Sequence, residues 1–158
     1  MKTLVYYASK TGALAECVEK MLPLLKGDVT VIRHGKDGKN PDPAAYDRVL
    51  LGGSVHAGKI QSAIRKYAQK NLPGLLQKKV GLFLCSLTPP EKADNYFAEN
   101  WPLQLVKAAA ARGLFGGAVY FDRLNGFERF IMKKITKKET NITNLIEANI
   151  KSFAAAVG

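Results

Sequence analysis

Cysteine is scarce: the 158 residues hold two, Cys17 and Cys85, with no CxxC spacing and no histidine cluster near either. That argues against a zinc site or a disulfide framework and leaves two buried thiols. Long apolar runs are missing too. No stretch approaches the roughly 18 to 20 residues of a membrane-spanning helix, and Leu4 to Ala8 is too short for a signal-peptide core, so a cytoplasmic protein is expected. Acidic residues are outnumbered, 13 against 24 Lys and Arg, for a net charge of +11. This surplus points to an anionic partner: phosphate, acidic lipid or nucleic acid. Neither GxGxxG nor G-x-x-x-x-G-K-[ST] occurs, which weakens NAD and ATP as ligands. No Ser-His-Asp or Cys-His constellation, metal quartet or paired-carboxylate motif stands out either, so the chemistry has to come from a cofactor.

What is present is ordinary for a folded domain, with 47% hydrophobic and 23% charged residues. Thr3 to Ala8 is a near-continuous apolar run that reads as a strand buried on both faces. It feeds the loop Ser9-Lys10-Thr11-Gly12. Apolar residues then recur every three or four positions from Ala13 to Leu25, predicting an amphipathic helix. Further strands are expected at Val29 to Ile32, Arg48 to Leu51, Val80 to Cys85 and Leu114 to Phe121. Helices are expected at Ile60 to Asn71, Phe97 to Arg112 and Ile142 to Val157, the last capped by Thr140 or Asn141. The Pro89-Pro90 pair blocks extension of the fourth strand. Alternating strands and helices predict one α/β domain over residues 1–158, a parallel sheet with helices on both faces.

In such a sheet a ligand lies outside the carboxyl ends of the strands, which singles out Ser9 to Leu14, Ser54 to Gly58 and Ser86 to Pro90. The first loop joins a strand to a helix N-terminus and offers two hydroxyls, an ammonium and backbone N–H groups, a set suited to a terminal phosphate. The alternative is that Ser9 and Thr11 only cap the helix. His56 either covers part of a ligand or is solvated, and Tyr96 either stacks on it or packs on the domain. Gly58 is either a carbonyl able to turn or a plain turn glycine.

Ser9-Lys10-Thr11-Gly12-Ala13-Leu14 resembles the phosphate loop [ST]-x-[ST]-G-x-[ST] that flavodoxins carry after their first strand, with Leu14 the one departure. Asp47 to Ser54 (DRVLLGGS) resembles their third strand and the start of the flavin-ring loop. Within that superfamily, MKTL, YDRVLLGGSVHAGKIQSA, GLFGGAVY and ERFIMKKITK resemble the quinone-dependent protoporphyrinogen dehydrogenases and related small flavodoxin-domain proteins. The connection after ERFIMKKITK is shorter here than in those dehydrogenases. The resemblance implies a flavodoxin-like three-layer fold, a five-stranded parallel sheet of order 2-1-3-4-5, and FMN as cofactor. It would place the FMN phosphate on Ser9, Lys10, Thr11, Gly12, Ala13 and Leu14. The ring would lie between Ser54, Val55, His56, Ala57 and Gly58 on one side and Ser86, Leu87 and Thr88 on the other.

The implied function is electron transfer between a reduced donor and an acceptor, either a redox partner protein or a quinone. A more specific form is oxidation of protoporphyrinogen. A different class is a non-redox phosphate- or nucleic-acid-binding module, but no RNP aromatic pattern or other nucleic-acid motif accompanies the charge. Residues 122–138 read as a basic amphipathic insertion. From Gly126 to Lys138, Phe127, Phe130, Ile131 and Ile135 share a helical face, with Arg129, Lys133, Lys134, Lys137 and Lys138 around it. That helix suits an anionic membrane surface, which would place the protein peripherally at the inner face, or an acidic partner. Packing on its own domain with the lysines in water is the alternative.

Overall fold

The computed structural model describes residues 1–38, 40–87, 90–136 and 141–158. Five parallel strands form the main sheet in the order β2-β1-β3-β4-β5. They are β1 (Lys2–Ala8), β2 (Asp28–Arg33), β3 (Arg48–Ser54), β4 (Lys79–Cys85) and β5 (Ala111–Leu114). Between them run α1 (Ala13–Met21), α2 (Ser62–Lys70), α3 (Leu72–Leu75), α4 (Ala93–Asn100) and α5 (Leu103–Ala108). After β5 the chain makes an excursion through β6 (Gly116–Val119), α6 (Gly126–Thr136) and β7 (Ile142–Leu145), and closes with α7 (Glu147–Val157).

Helix-covered faces explain the near-continuous apolar strands. One face of the sheet packs Leu4, Tyr6, Val49, Leu51 and Leu82 against α2, α4 and α5. The other packs Val5, Leu50, Phe83 and Phe115 against α1 and α7. β3, expected to end at Leu51, runs on through its glycine pair to Ser54, and Gly52 lies against the Phe83 ring, where a Cβ would come within 2.0 Å. The sheet order and the parallel pairing agree with the sequence expectation.

The first two helices are shorter than expected, Ala13–Met21 and Ser62–Lys70, and three further differences are larger. The helix expected over Phe97 to Arg112 is two helices, since Trp101 before Pro102 is extended (φ −127°, ψ 157°), as the proline ring requires of its predecessor. The fifth strand lies earlier than expected, at Ala111–Leu114. The chain then turns at Gly116 (φ 78°), and Gly116–Val119 pairs antiparallel with Ile142–Leu145. The last helix therefore starts at Glu147 rather than Ile142, and Asn141 does not cap it. Asn141 Oδ1 instead accepts from Phe121 N at 2.8 Å. The other cap candidate, Thr140, and the stop residue Pro89 lie outside the described residues.

Candidate functional site

The carboxyl ends of β1, β3 and β4 are adjacent, with Ala8 opposite Gly53 and Ser54 opposite Cys85. That register brings together the three loops singled out above. Val55 N donates to Cys85 O (2.9 Å), tying the second loop to β4, and Ser86 N donates to Gly116 O (2.7 Å), tying the third to the excursion. Ser54 and Ser86 are buried and Leu87 is exposed. Thr88 lies outside the described residues.

The first loop has the form of an anion cradle. Gly12 takes φ 97°, a conformation open to glycine, and is the N-cap of α1, which has no side-chain cap. Ser9 and Thr11 therefore do not cap the helix. Arg33 Nη2 donates to Ser9 O at 3.0 Å and Arg123 Nη1 to Thr11 O at 2.8 Å. Because a trans peptide sets its C=O and N–H on opposite sides, the N–H groups of Lys10 and Gly12 face away from those arginines. They join the first-turn N–H groups that every helix leaves unpaired. Ser9 Oγ is buried without a partner among the described residues. Backbone donors, an orphaned hydroxyl and a helix N-terminus together fit a phosphate dianion. Leu14 does not take part: it is fully buried in the core beneath the loop. Ala13, also buried, closes the loop onto α1.

The second loop is a tight hairpin. His56 and Lys59 exchange backbone hydrogen bonds, and both central residues have positive φ, Ala57 at 50° and Gly58 at 79°. Such a turn needs left-handed backbone twice, a natural state for Gly58 and a strained one for Ala57. Asn100, 3% exposed at the end of α4, holds it. Its Nδ2 donates to Gly58 O (3.0 Å) and Tyr96 O (2.8 Å), and its Oδ1 accepts from Ile60 N (2.8 Å). Turning the Gly58 carbonyl therefore costs an Asn100 hydrogen bond. Tyr96 is half-buried beside Gly58 and packs on the core. Crowding by protein holds the His56 imidazole below its ordinary pKa; Lys10 pushes the same way and Glu128 opposes.

Sequence reasoning did not assign three residues to these loops: Asn100, Arg123 and Glu128. Glu128 forms an ion pair with Lys10, the ammonium expected to serve the phosphate, and this pairing draws the Glu128 carboxyl below its ordinary range. The excursion thus adjoins the first loop. Cys17 and Cys85 are both buried, and a hydrogen bond with Cys17 together with burial pushes the Cys85 thiol up. Among the described residues no cluster of His, Cys, Asp and Glu could hold a metal.

Comparison with known proteins gives a consistent picture. The flavodoxin domain family model matches residues 4–145. The chain is similar to a protoporphyrinogen IX dehydrogenase (quinone) of Leishmania major, 28% identical over 176 residues that cover 98% of this chain and 73% of that protein. It is also similar to the protein of that name from Escherichia coli (strain K12), 24% identical over 147 residues covering 87% of this chain and 80% of the other. Among solved structures, a Streptococcus pneumonia TIGR4 flavodoxin superposes with TM-score 0.59 at 13% identity, covering 99% of this chain and 97% of the other. A flavodoxin from the domain Archaea gives TM-score 0.55 at 16% identity, covering 99% of each. At these identities the structural likeness is one of fold.

Proposed function

Since the chain belongs to the flavodoxin domain family, we propose that it binds FMN at the ends of β1, β3 and β4 and passes electrons between a reduced donor and an acceptor. The observation that carries this reading is the uncapped N-terminus of α1 behind a loop with an orphaned buried hydroxyl. Bound there, the flavin supplies the hydride or electron chemistry that no side-chain constellation of this chain offers. The protein's share is to bind and orient. The loop from Ser9 to Leu14 would hold the phosphate, while Ser54 to Gly58, Ser86 and Leu87 would border the ring and keep water from it. The Asn100 bonds would hold the ring loop in one geometry.

The likeness to the two dehydrogenases favours one specific form, with protoporphyrinogen as donor and a quinone as acceptor. The test is anaerobic. Purified protein mixed with FMN is expected to acquire a bound-flavin absorbance, to bleach when reduced, and to recolour on addition of a quinone. Recolouring by protein acceptors but not quinones would favour a carrier role. Failure to take up FMN would overturn the reading and leave a non-redox phosphate-binding module.

We also propose that α6 docks on an anionic lipid surface. Phe127, Phe130 and Ile131 are 73%, 56% and 38% exposed, whereas Met132 on the same helix packs against the small cluster of Val119, Phe121 and Leu124. Packing on the domain therefore accounts for only part of the apolar face. Around the exposed part stand Arg129, Lys133 and Lys134, with Lys134 Nζ 4.5 Å from the Phe130 ring centre. Lys137 and Lys138 lie outside the described residues, as does the side chain of Ile135. No described helix is long and apolar enough to cross a membrane, so the attachment would be peripheral. Sedimentation with vesicles should show binding that rises with acidic lipid and falls with salt. Changing Lys133 and Lys134 to Gln should weaken it roughly 30-fold, at about 1 kcal/mol per lysine. No binding to acidic vesicles at low salt would eliminate the lipid surface.

A further inference from the structure

We propose that Arg33 and Arg123 are positioning residues, a brace of two guanidinium groups that turns the peptides of the first loop so that their N–H groups, and not their carbonyls, meet the FMN phosphate. The inference rests on the FMN reading above and adds to it two residues outside the loop, neither of which needs to touch the anion. Arg33 Nη2 donates to Ser9 O at 3.0 Å and Arg123 Nη1 to Thr11 O at 2.8 Å. These carbonyls belong to alternate peptides of the loop, Ser9–Lys10 and Thr11–Gly12, and in each the trans geometry sets the N–H opposite the gripped oxygen. None of the N–H groups from Lys10 to Ala15 has a backbone acceptor among the described residues. A carbonyl swung to their side would repel a dianion, so holding it on the far side keeps the anion face of the loop positive. A cation on the carbonyl also polarises the peptide and strengthens its N–H as a donor.

The two arginines arrive from separate parts of the fold. Arg33 ends β2 and stands opposite Tyr7 of β1, so the sheet register delivers it to the start of the loop. Arg123 comes from the excursion, in a turn anchored by the buried Phe121 and Leu124, and its guanidinium lies over the Tyr120 ring, 4.3 Å from the centre. The Tyr120 hydroxyl donates to Glu16 on α1, which ties that turn to the helix following the loop. Gly12 leaves the room for this approach, since a Cβ there would lie 2.7 Å from Arg123 Nη1.

The test uses the full chain and its Arg33→Met and Arg123→Met variants, titrated with FMN and with riboflavin by fluorescence. Each variant should weaken FMN roughly 3- to 10-fold, the effect of one hydrogen bond, and leave riboflavin unchanged. Arg123→Lys, which keeps a charged donor, should recover part of the loss. Amide NMR of the flavin-free proteins gives the readout particular to positioning: the Lys10 signal should shift in Arg33→Met and the Gly12 signal in Arg123→Met before any ligand is added. Unchanged FMN affinity in both variants, or an equal loss for both flavins, would overturn the inference. So would weakened FMN with unmoved amide signals, which would make the arginines direct contacts of the anion. If the unaltered protein takes up no flavin, the FMN reading fails separately, and inorganic phosphate takes the place of FMN. It should then move the Lys10 and Gly12 signals of the unaltered protein more than those of the variants, and equal responses would remove the brace as well.

Discussion

Riboflavin is expected to bind roughly 100- to 10,000-fold more weakly than FMN. The two ligands differ only in the terminal phosphate, so the ratio isolates what the first loop contributes. That loop offers the N–H groups of Lys10 and Gly12, the first-turn donors of α1 and the buried Ser9 hydroxyl. Two charge-assisted hydrogen bonds, at about 1.5 to 3 kcal/mol each, already amount to about 3 to 6 kcal/mol, and every 1.4 kcal/mol is tenfold in affinity. Calorimetry or fluorescence titration of flavin-free protein measures the ratio directly. Equal affinities would show that the loop from Ser9 to Leu14 does not hold a phosphate. An intermediate result, near tenfold, would mean that the dianion meets one good donor and that the loop lacks the convergence its backbone suggests.

Much of the fold was legible because two-faced burial leaves a plain trace. β1 and β4 each follow one exposed residue with six buried ones, and β3 is buried throughout. Strands covered by helices on both sides lose the alternation that would make them ambiguous. That the three candidate loops come together was legible for a related reason: they follow the adjacent ends of β1, β3 and β4. The break at Trp101 and Pro102 was harder. Phe97, Trp101, Leu105 and Val106 all bury against the same cluster, so the helical spacing continues through a point where the helix does not. The proline was the available signal. In the excursion the short strands β6 and β7 carry four residues each, too few for a period to declare itself.

The missed site residues share a different cause. Arg123 meets Thr11 across 112 residues and Asn100 meets Gly58 across 42. Contacts of that separation arise from the topology of the sheet, and a side chain that belongs to them looks locally like any other surface arginine or helix-end asparagine. A buried Asn100 between the apolar Phe97 and Trp101 left a faint trace, since a polar residue there needs partners once it leaves water. Glu128 left a clearer one. Its N donates to Asn125 Oδ1 at 2.8 Å and its Oε1 accepts from Asn125 N, a capping box that starts α6. That motif locates the helix start from sequence alone. Its second role, the pairing with Lys10, appears only when α6 is set beside the first loop.

Replacing Arg48 by Met should destabilise the protein by about 3 to 5 kcal/mol while leaving the FMN affinity of the folded protein unchanged. Arg48 begins β3 and is 1% exposed, and burial holds its pKa below the ordinary value. Its Nε donates to Thr3 Oγ1 (2.9 Å), Nη1 to Val157 O (2.5 Å) and Nη2 to Lys26 O (3.1 Å), tying together β1, the end of α7 and the segment before β2. The Val157 carbonyl is at the negative end of the α7 dipole, which favours a cation there. A buried ion pair exchanged whole for apolar residues can be neutral. Here, however, methionine removes the donor alone and leaves a hydroxyl and two carbonyls without their partner, so the cost of stranded acceptors outweighs the relief of the buried charge. At about 2 to 4 °C per kcal/mol for a chain of this size, the melting temperature should fall by roughly 6 to 20 °C. The site lies at the opposite, carboxyl end of β3, and flavin titration well below the new transition should give the original affinity. A loss under about 1 kcal/mol would mean that water or a shifted backbone satisfies the three acceptors, and that the arginine serves packing rather than the tether.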